Sequence, residues 1–186
     1  MIRPAVEDDA GALARIYNQA MKPGIFATAF VTPVTPEDRV EWLRRLREPF
    51  GAWVFVSKSG EVLGWCSLNP FGPRPSYSRV AEVSAYVEEG HRSGSIGGRL
   101  LACMVVEARR RGFNSLVSIA FEKNVISISG CLEAGFLPMG TLYEMADFRE
   151  GYENVSWIQK VLSAPDPPVL RRLIETLAME RNNDRV

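Results

Sequence analysis

The stretch that most constrains this chain lies at residues 81–101. Ala81-Glu82-Val83-Ser84-Ala85-Tyr86-Val87 reads as a strand. Glu88 to Gly98 is a short loop rich in small residues that runs into a helix start. The helix spans residues 96–111 with Leu100, Leu101, Met104, Val105 and Ala108 on one side, and it stops at Arg109-Arg110-Arg111-Gly112. Such a junction presents free backbone N–H groups and the positive end of a helix dipole, which suit a phosphate group. Small residues let the backbone approach the anion closely. Arg92 and Arg99 add positive charge nearby. No Gly-Lys-Ser/Thr closes a Walker loop here, and no G-x-G-x-x-G is present. The plainer alternative is a glycine-rich turn without a ligand.

The remaining pattern alternates strands and helices. Residues 2–5 read as a first strand, and Glu7-Asp8-Asp9 lead a helix over 10–21. Residues 22–34 are a loop, after which Thr35 is an N-cap and Pro36 the first helical residue. Val40, Trp42, Leu43 and Leu46 give that helix an apolar side. Residues 53–56 and 62–68 form a hairpin around Ser59-Gly60, and a proline-rich loop covers 69–78. A strand at 116–121, a short helix at 125–134 and a strand pair at 137–148 and 152–161 complete the set. Pro165 to Pro168 is a linker before an amphipathic helix over 170–179. The order predicts an α/β layer fold with a mixed sheet.

At 186 residues, with 46% hydrophobic residues, one domain with a full core is expected. The 22 basic and 22 acidic side chains cancel, which argues against a general nucleic-acid binder. No apolar run approaches the ~20 residues needed to span a bilayer. The N-terminus lacks the apolar core of a secretory signal, and Cys66, Cys103 and Cys131 form no CxxC pair. A cytoplasmic protein without a membrane partner or disulfide framework is expected. His91 is the single histidine, so no multi-histidine metal site is possible, and no metal is expected.

The sequence His91-Arg92-x-Gly94-x-Ile96-Gly97-x-x-Leu100-Leu101 resembles the acetyl-CoA pyrophosphate loop of the GNAT superfamily, R/Q-x-x-G-x-G/A. Asn124-x-x-Ser127, followed by Glu133-Ala134-Gly135-Phe136, resembles a second family segment. Phe71-x-x-Arg74-Pro75-x-Tyr77, then Glu82-x-Ser84-x-Tyr86-Val87, looks like the phosphinothricin acetyltransferase branch. Residues 2–5, 16–18 and 35–37 are similar to that branch as well. The resemblance covers residues 1–162 and leaves 163–186 as a linker and helical extension. Its implied fold is a mixed, mostly antiparallel central sheet flanked by helices, with an added C-terminal helix. Three departures stand out. Ser95 replaces the first glycine of R-x-x-G-x-G and would be strained if that position needs positive φ. Cys131 stands where many members have a tyrosine that protonates the leaving thiolate. The region 150–154 lacks the histidine of the branch.

The resemblance implies an enzyme that moves an acetyl group from acetyl-CoA to the amine of a small molecule, an amino acid or analogue such as phosphinothricin or methionine sulfoximine. A base must free the amine's lone pair, and Glu82 matches the branch's glutamate. Its neighbours are apolar, so desolvation should raise its pKa. Ala85, Tyr86 and Val87 would offer backbone groups to the pantetheine arm. Arg92, Ser93, Gly94, Ser95, Ile96, Gly97 and Gly98 would cradle the pyrophosphate. Asn124 and Ser127 would cap a helix and touch the coenzyme. Arg74 and Tyr77 would bind an acceptor carboxylate, with Phe26, Thr28 and Phe30 lining the same pocket. A homodimer is implied by the branch alone. The alternatives are a non-catalytic acyl-CoA-binding sensor, an acetyltransferase for polyamines or protein N-termini, and a binder of nucleotide phosphates.

Overall fold

In the computed structural model, residues 1–22, 25, 27, 28, 32–92, 94–148 and 151–183 are described, the side chains of 148 and 181–183 excepted. Seven strands form one sheet: β1 (Ile2–Pro4), β2 (Gly51–Val56), β3 (Val62–Pro70), β4 (Val80–Val87), β5 (Ser115–Phe121), β6 (Leu137–Phe148) and β7 (Gly151–Val161). Their order across the sheet is β1-β2-β3-β4-β5-β7-β6, and of the pairings only β4 with β5 is parallel. Among the described residues five α-helices accompany them: α1 (Ala10–Gln19), α2 (Pro36–Arg45), α3 (Ile96–Arg110), α4 (Val125–Glu133) and α5 (Pro168–Asn183). This is the mixed, mostly antiparallel sheet with a C-terminal helix that the sequence leads one to expect.

The strand period sorts the core into two layers. Trp53 and Phe55 of β2 point into a cluster with Leu100, Met104 and Val105 of α3, while Val54 and Val56 point into one with Leu13 and Ile16 of α1. Helices on both faces explain why β2 and β3 read as continuous apolar runs. α2 starts where Thr35 predicts it. Thr35 Oγ1 accepts from Asp38 N at 3.2 Å, and Asp38 Oδ2 accepts from Thr35 N at 2.7 Å. Two donors at the helix start are thereby satisfied. α3 stops at Gly112, whose φ of 77° carries the chain out of the helix.

The extension past residue 162 shares the main core. Leu170 and Leu177 are buried in the α3 cluster, and Leu173 and Ile174 pack against it. α5 thus docks on its own chain. The linker is pinned by Asp166, which takes two bonds from Arg109 at 2.6 and 2.8 Å and faces the buried Lys160 ammonium at 3.2 Å. Pro167 closes over Gly135, where an added Cβ would lie 2.9 Å from the proline ring.

Candidate active site

The site arises from a fork in the sheet. β4 pairs with β5 only from Val80 to Glu82, opposite Ser115 to Val117. Beyond that point β4 stays with β3, through Val83 to Val87, and β5 stays with β7, through Ser118 to Phe121. Parallel neighbours that part leave alternate backbone N–H and C=O groups of each strand facing the gap. The gap is a cleft of about 1400 Å³, lined on one side by Glu82 to Val87 and on the other by Ser118 to Phe121.

Glu82 is the last β4 residue before the strands separate. It is half-buried, and burial raises its carboxyl above the ordinary carboxylate range. This is the environment expected from its apolar neighbours. On the next strand, Asn69 Nδ2 donates to Ser67 Oγ at 2.9 Å, so a polar pair sits in register beside Glu82.

The start of α3 forms the outer wall. Gly94, Ser95, Gly97 and Gly98 line the cleft with Arg92. Ser95 has φ −75° and ψ −3°, ordinary right-handed geometry, so the serine carries no strain. No side chain caps the helix, and the first intrahelical bond in this stretch is Arg99 N to Ser95 O at 3.1 Å. The N–H groups of the first turn therefore point outward without a helical acceptor. A Cβ on Gly97 would have its nearest neighbour 4.0 Å away, so the surface there is open. Arg92 folds back, and its Nε donates to Val87 O at 3.2 Å. Arg99 turns elsewhere: it pairs with Glu180 of α5 and stacks over Phe55. It adds no charge to the cradle. His91 ends a short turn outside the cleft lining.

Asn124 caps α4, its Oδ1 accepting from Ser127 N at 3.2 Å, and both residues line the cleft. Cys131 is buried at the same wall. Burial pushes its thiol up to about 11, against a partial opposing effect of a hydrogen bond with Ser118.

The opposite end of the cleft differs from expectation. Arg74 and Tyr77 lie outside its lining, on the exposed loop, where Arg74 Nη1 donates to Tyr77 Oη at 3.2 Å. Phe26, Phe30 and Ser93 lie outside the described residues. Thr28 does line the cleft and is buried, 2.5 Å from the Tyr17 hydroxyl. The residue that sequence reasoning missed is Arg39, the buried residue of α2. Its guanidinium stands 4.1 Å from the Tyr17 ring centroid, 5.2 Å from that of Trp65 and 5.3 Å from that of Trp42. A signal was available, since Arg39, Trp42, Leu43 and Leu46 share one helical face.

A family model described as the Acetyltransferase (GNAT) family matches residues 14–136, well over half the chain. The chain belongs to the GNAT acetyltransferase family. YwnH of Bacillus subtilis (strain 168) is 34% identical over 146 residues, 78% of this chain and 89% of that protein. The phosphinothricin N-acetyltransferase of Streptomyces viridochromogenes is 27% identical, with 90% of each chain covered. A crystal structure of a ribosomal-protein-alanine N-acetyltransferase from Brucella melitensis superposes with a TM-score of 0.82 at 34% identity, covering 87% of this chain and 99% of that one. These relatives set the chain in the phosphinothricin acetyltransferase-like branch of the GNAT family, whose members are acetyl-CoA-dependent N-acetyltransferases. Among the described residues no group of three His, Cys, Asp or Glu side chains is placed to hold a metal ion. No described helix is long and apolar enough to cross a membrane.

Proposed function

We propose that this GNAT enzyme transfers an acetyl group from acetyl-CoA to the primary amine of an amino acid or analogue, with Glu82 as the base. The observation that carries the reading is Glu82 at the vertex of the fork, desolvated and open to the same cleft as the bare start of α3. The relatives' names supply the acceptor class, phosphinothricin and methionine sulfoximine.

The residues present fit the coenzyme. Unpaired N–H groups at the start of α3, beside Arg92 and the small residues Gly94, Ser95, Gly97 and Gly98, suit a diphosphate. Ile96 contributes its backbone N–H, and its side chain is buried below the helix start. The free edge of Ala85, Tyr86 and Val87 suits an extended amide chain, which a strand edge binds as it would another strand. Asn124 and Ser127 flank that arm from α4. Bound there, acetyl-CoA supplies an acyl thioester open to attack by a free amine. An ammonium has no lone pair to attack with, so Glu82 takes its proton, directly or through one water. The raised pKa of Glu82 brings it closer to the operating pH. Direct attack needs no enzyme nucleophile, in keeping with the buried thiol of Cys131.

A second copy of the chain is the proposed partner. β6 is an edge strand carrying exposed Leu137, Met139, Tyr143 and Met145. Apolar side chains on an unpaired edge favour pairing with another chain. Light scattering should give the mass of two chains, and a monomer at micromolar concentration contradicts the pairing.

The enzymatic reading is tested by following free thiol release from acetyl-CoA with phosphinothricin, methionine sulfoximine, polyamines and alanine-terminated peptides. Turnover on the amino-acid analogues that falls about 10²- to 10⁴-fold in Glu82→Gln supports it. Coenzyme binding without turnover on any amine marks a sensor module instead.

A further inference from the structure

Arg39 is a buried charge on the cleft wall with no ion-pair partner among the described residues. The residue is 8% exposed, and its Nε has no hydrogen-bond partner. No carboxylate among the described residues forms an ion pair with it. Its neighbour Asp38 is committed to the N-cap of α2. Burying a guanidinium costs free energy unless something compensates. The rings of Tyr17, Trp42 and Trp65 supply part of that compensation by cation–π attraction. Stacking uses the faces of the planar group, however; in its plane Tyr17 supplies a side-chain hydrogen bond, and Nε is left without a partner. Burial accordingly lowers the pKa of Arg39.

The position fixes what such a donor would meet. Arg39, Tyr17, Thr28, Tyr86 and Glu82 line one cleft. Tyr86 lines the same cleft and interacts electrostatically with Arg39 and with Glu82. Arg39 packs against Trp65, which pairs with Tyr86, four residues and about 13 Å of strand beyond Glu82. An acceptor whose amine lies at Glu82 therefore reaches Arg39 with its far end rather than with a carboxylate on the same carbon as the amine.

We propose that Arg39 determines acceptor specificity by binding an oxyanion at the distal end of the amine substrate, a phosphinate or carboxylate several bonds from the nitrogen. A guanidinium offers the paired donors that such a group accepts. The aromatic rings hold the fork in place and exclude water from the contact. The inference rests on the amine lying at Glu82, and it replaces the exposed Arg74 as the guanidinium that reads the substrate.

The test compares two acceptors of similar length, phosphinothricin, with an anionic phosphinate end, and methionine sulfone, with a neutral dioxo end. Wild-type enzyme should favour phosphinothricin. Arg39→Gln should raise KM for phosphinothricin about 10- to 100-fold, the worth of a charge-assisted hydrogen bond, and change KM for methionine sulfone less than about 3-fold. Arg39→Lys, which keeps the charge but not the fork, should fall between. Calorimetric uptake of CoA and the thermal midpoint report folding in each variant. Direct calorimetric binding of phosphinothricin reads the same contact without turnover. Equal losses for both acceptors, or a lower thermal midpoint with unchanged selectivity, would show a purely structural cation and overturn the inference. Failure of both acids to bind, with turnover on other amines intact, overturns it as well and leaves the proposed acetyl transfer standing.

Discussion

Replacing Asp166 by alanine should destabilise the protein more than any surface change of its size. Asp166 holds two cations of unequal exposure. The Lys160 side chain is 1% exposed, and its ammonium lies 3.2 Å from Oδ1. Arg109 is 34% exposed and bonds both oxygens. Losing the carboxylate leaves the Lys160 charge in the interior without its partner, which costs about 3–5 kcal/mol. Arg109 can turn to water and keeps its bonds to Leu162 O, so its share is about 0–1 kcal/mol. For a chain of this length the loss corresponds to a fall of roughly 6–20 °C in Tm. Urea unfolding of wild type, Asp166→Ala and Lys160→Met/Asp166→Ala measures it. The double variant should recover most of the loss, because removing both charges of a buried pair is often nearly neutral. A single variant within about 1 kcal/mol of wild type, or a double variant no better than the single, refutes the reasoning. Acid adds a check. The hydrogen bond from Arg109 is the largest influence holding the Asp166 carboxyl below its ordinary value. Its stabilisation is therefore complete above the unfolded-state pKa of about 3.9 and drains away as pH falls through the folded one. Wild-type and Asp166→Ala stabilities should converge there.

Two further predictions concern chemistry and packing. The acidic limb of the kcat/KM profile should lie above the ordinary carboxylate range, with activity rising as Glu82 loses its proton, and Glu82→Gln should abolish that limb. Gly135→Ala should cost about 2–4 kcal/mol by thermal unfolding. The position has φ 82°, and the new methyl would meet Pro167 at 2.9 Å, combining a left-handed backbone penalty with overpacking.

The parts of this molecule legible in its sequence are those set by neighbours in the chain. Thr35-Pro36 with Asp38 announces the start of α2, and the arginines before Gly112 announce the end of α3. The small residues at 94–98 announce the open, uncapped helix start that the fold displays. What escaped depends on partners far along the chain. Arg99 reads as added charge near the loop, whereas in the fold α5 brings Glu180 against it from 81 residues away. The fork itself is invisible in sequence, because residues 83–87 read the same whether or not β5 pairs with them. Arg39 draws no notice in the sequence, since the three rings that bury it come from α1, β3 and its own helix. Arg74 drew notice from a motif resemblance, and its loop holds it outside the cleft lining.

The proposed acetyl transfer depends above all on the bare start of α3 gripping the diphosphate of the coenzyme. Isothermal titration of acetyl-CoA into wild type and Gly97→Glu tests it most directly. The position opens onto the cleft, and a carboxylate in the first turn suits the helix dipole, so the variant should fold at least as stably as wild type. Its side chain would occupy the anion's place and repel it. Wild type should show saturable uptake, and Gly97→Glu should lose at least about 100-fold in affinity, on the scale of a removed charge-assisted contact plus like-charge repulsion. Equal affinity in the two proteins would contradict it.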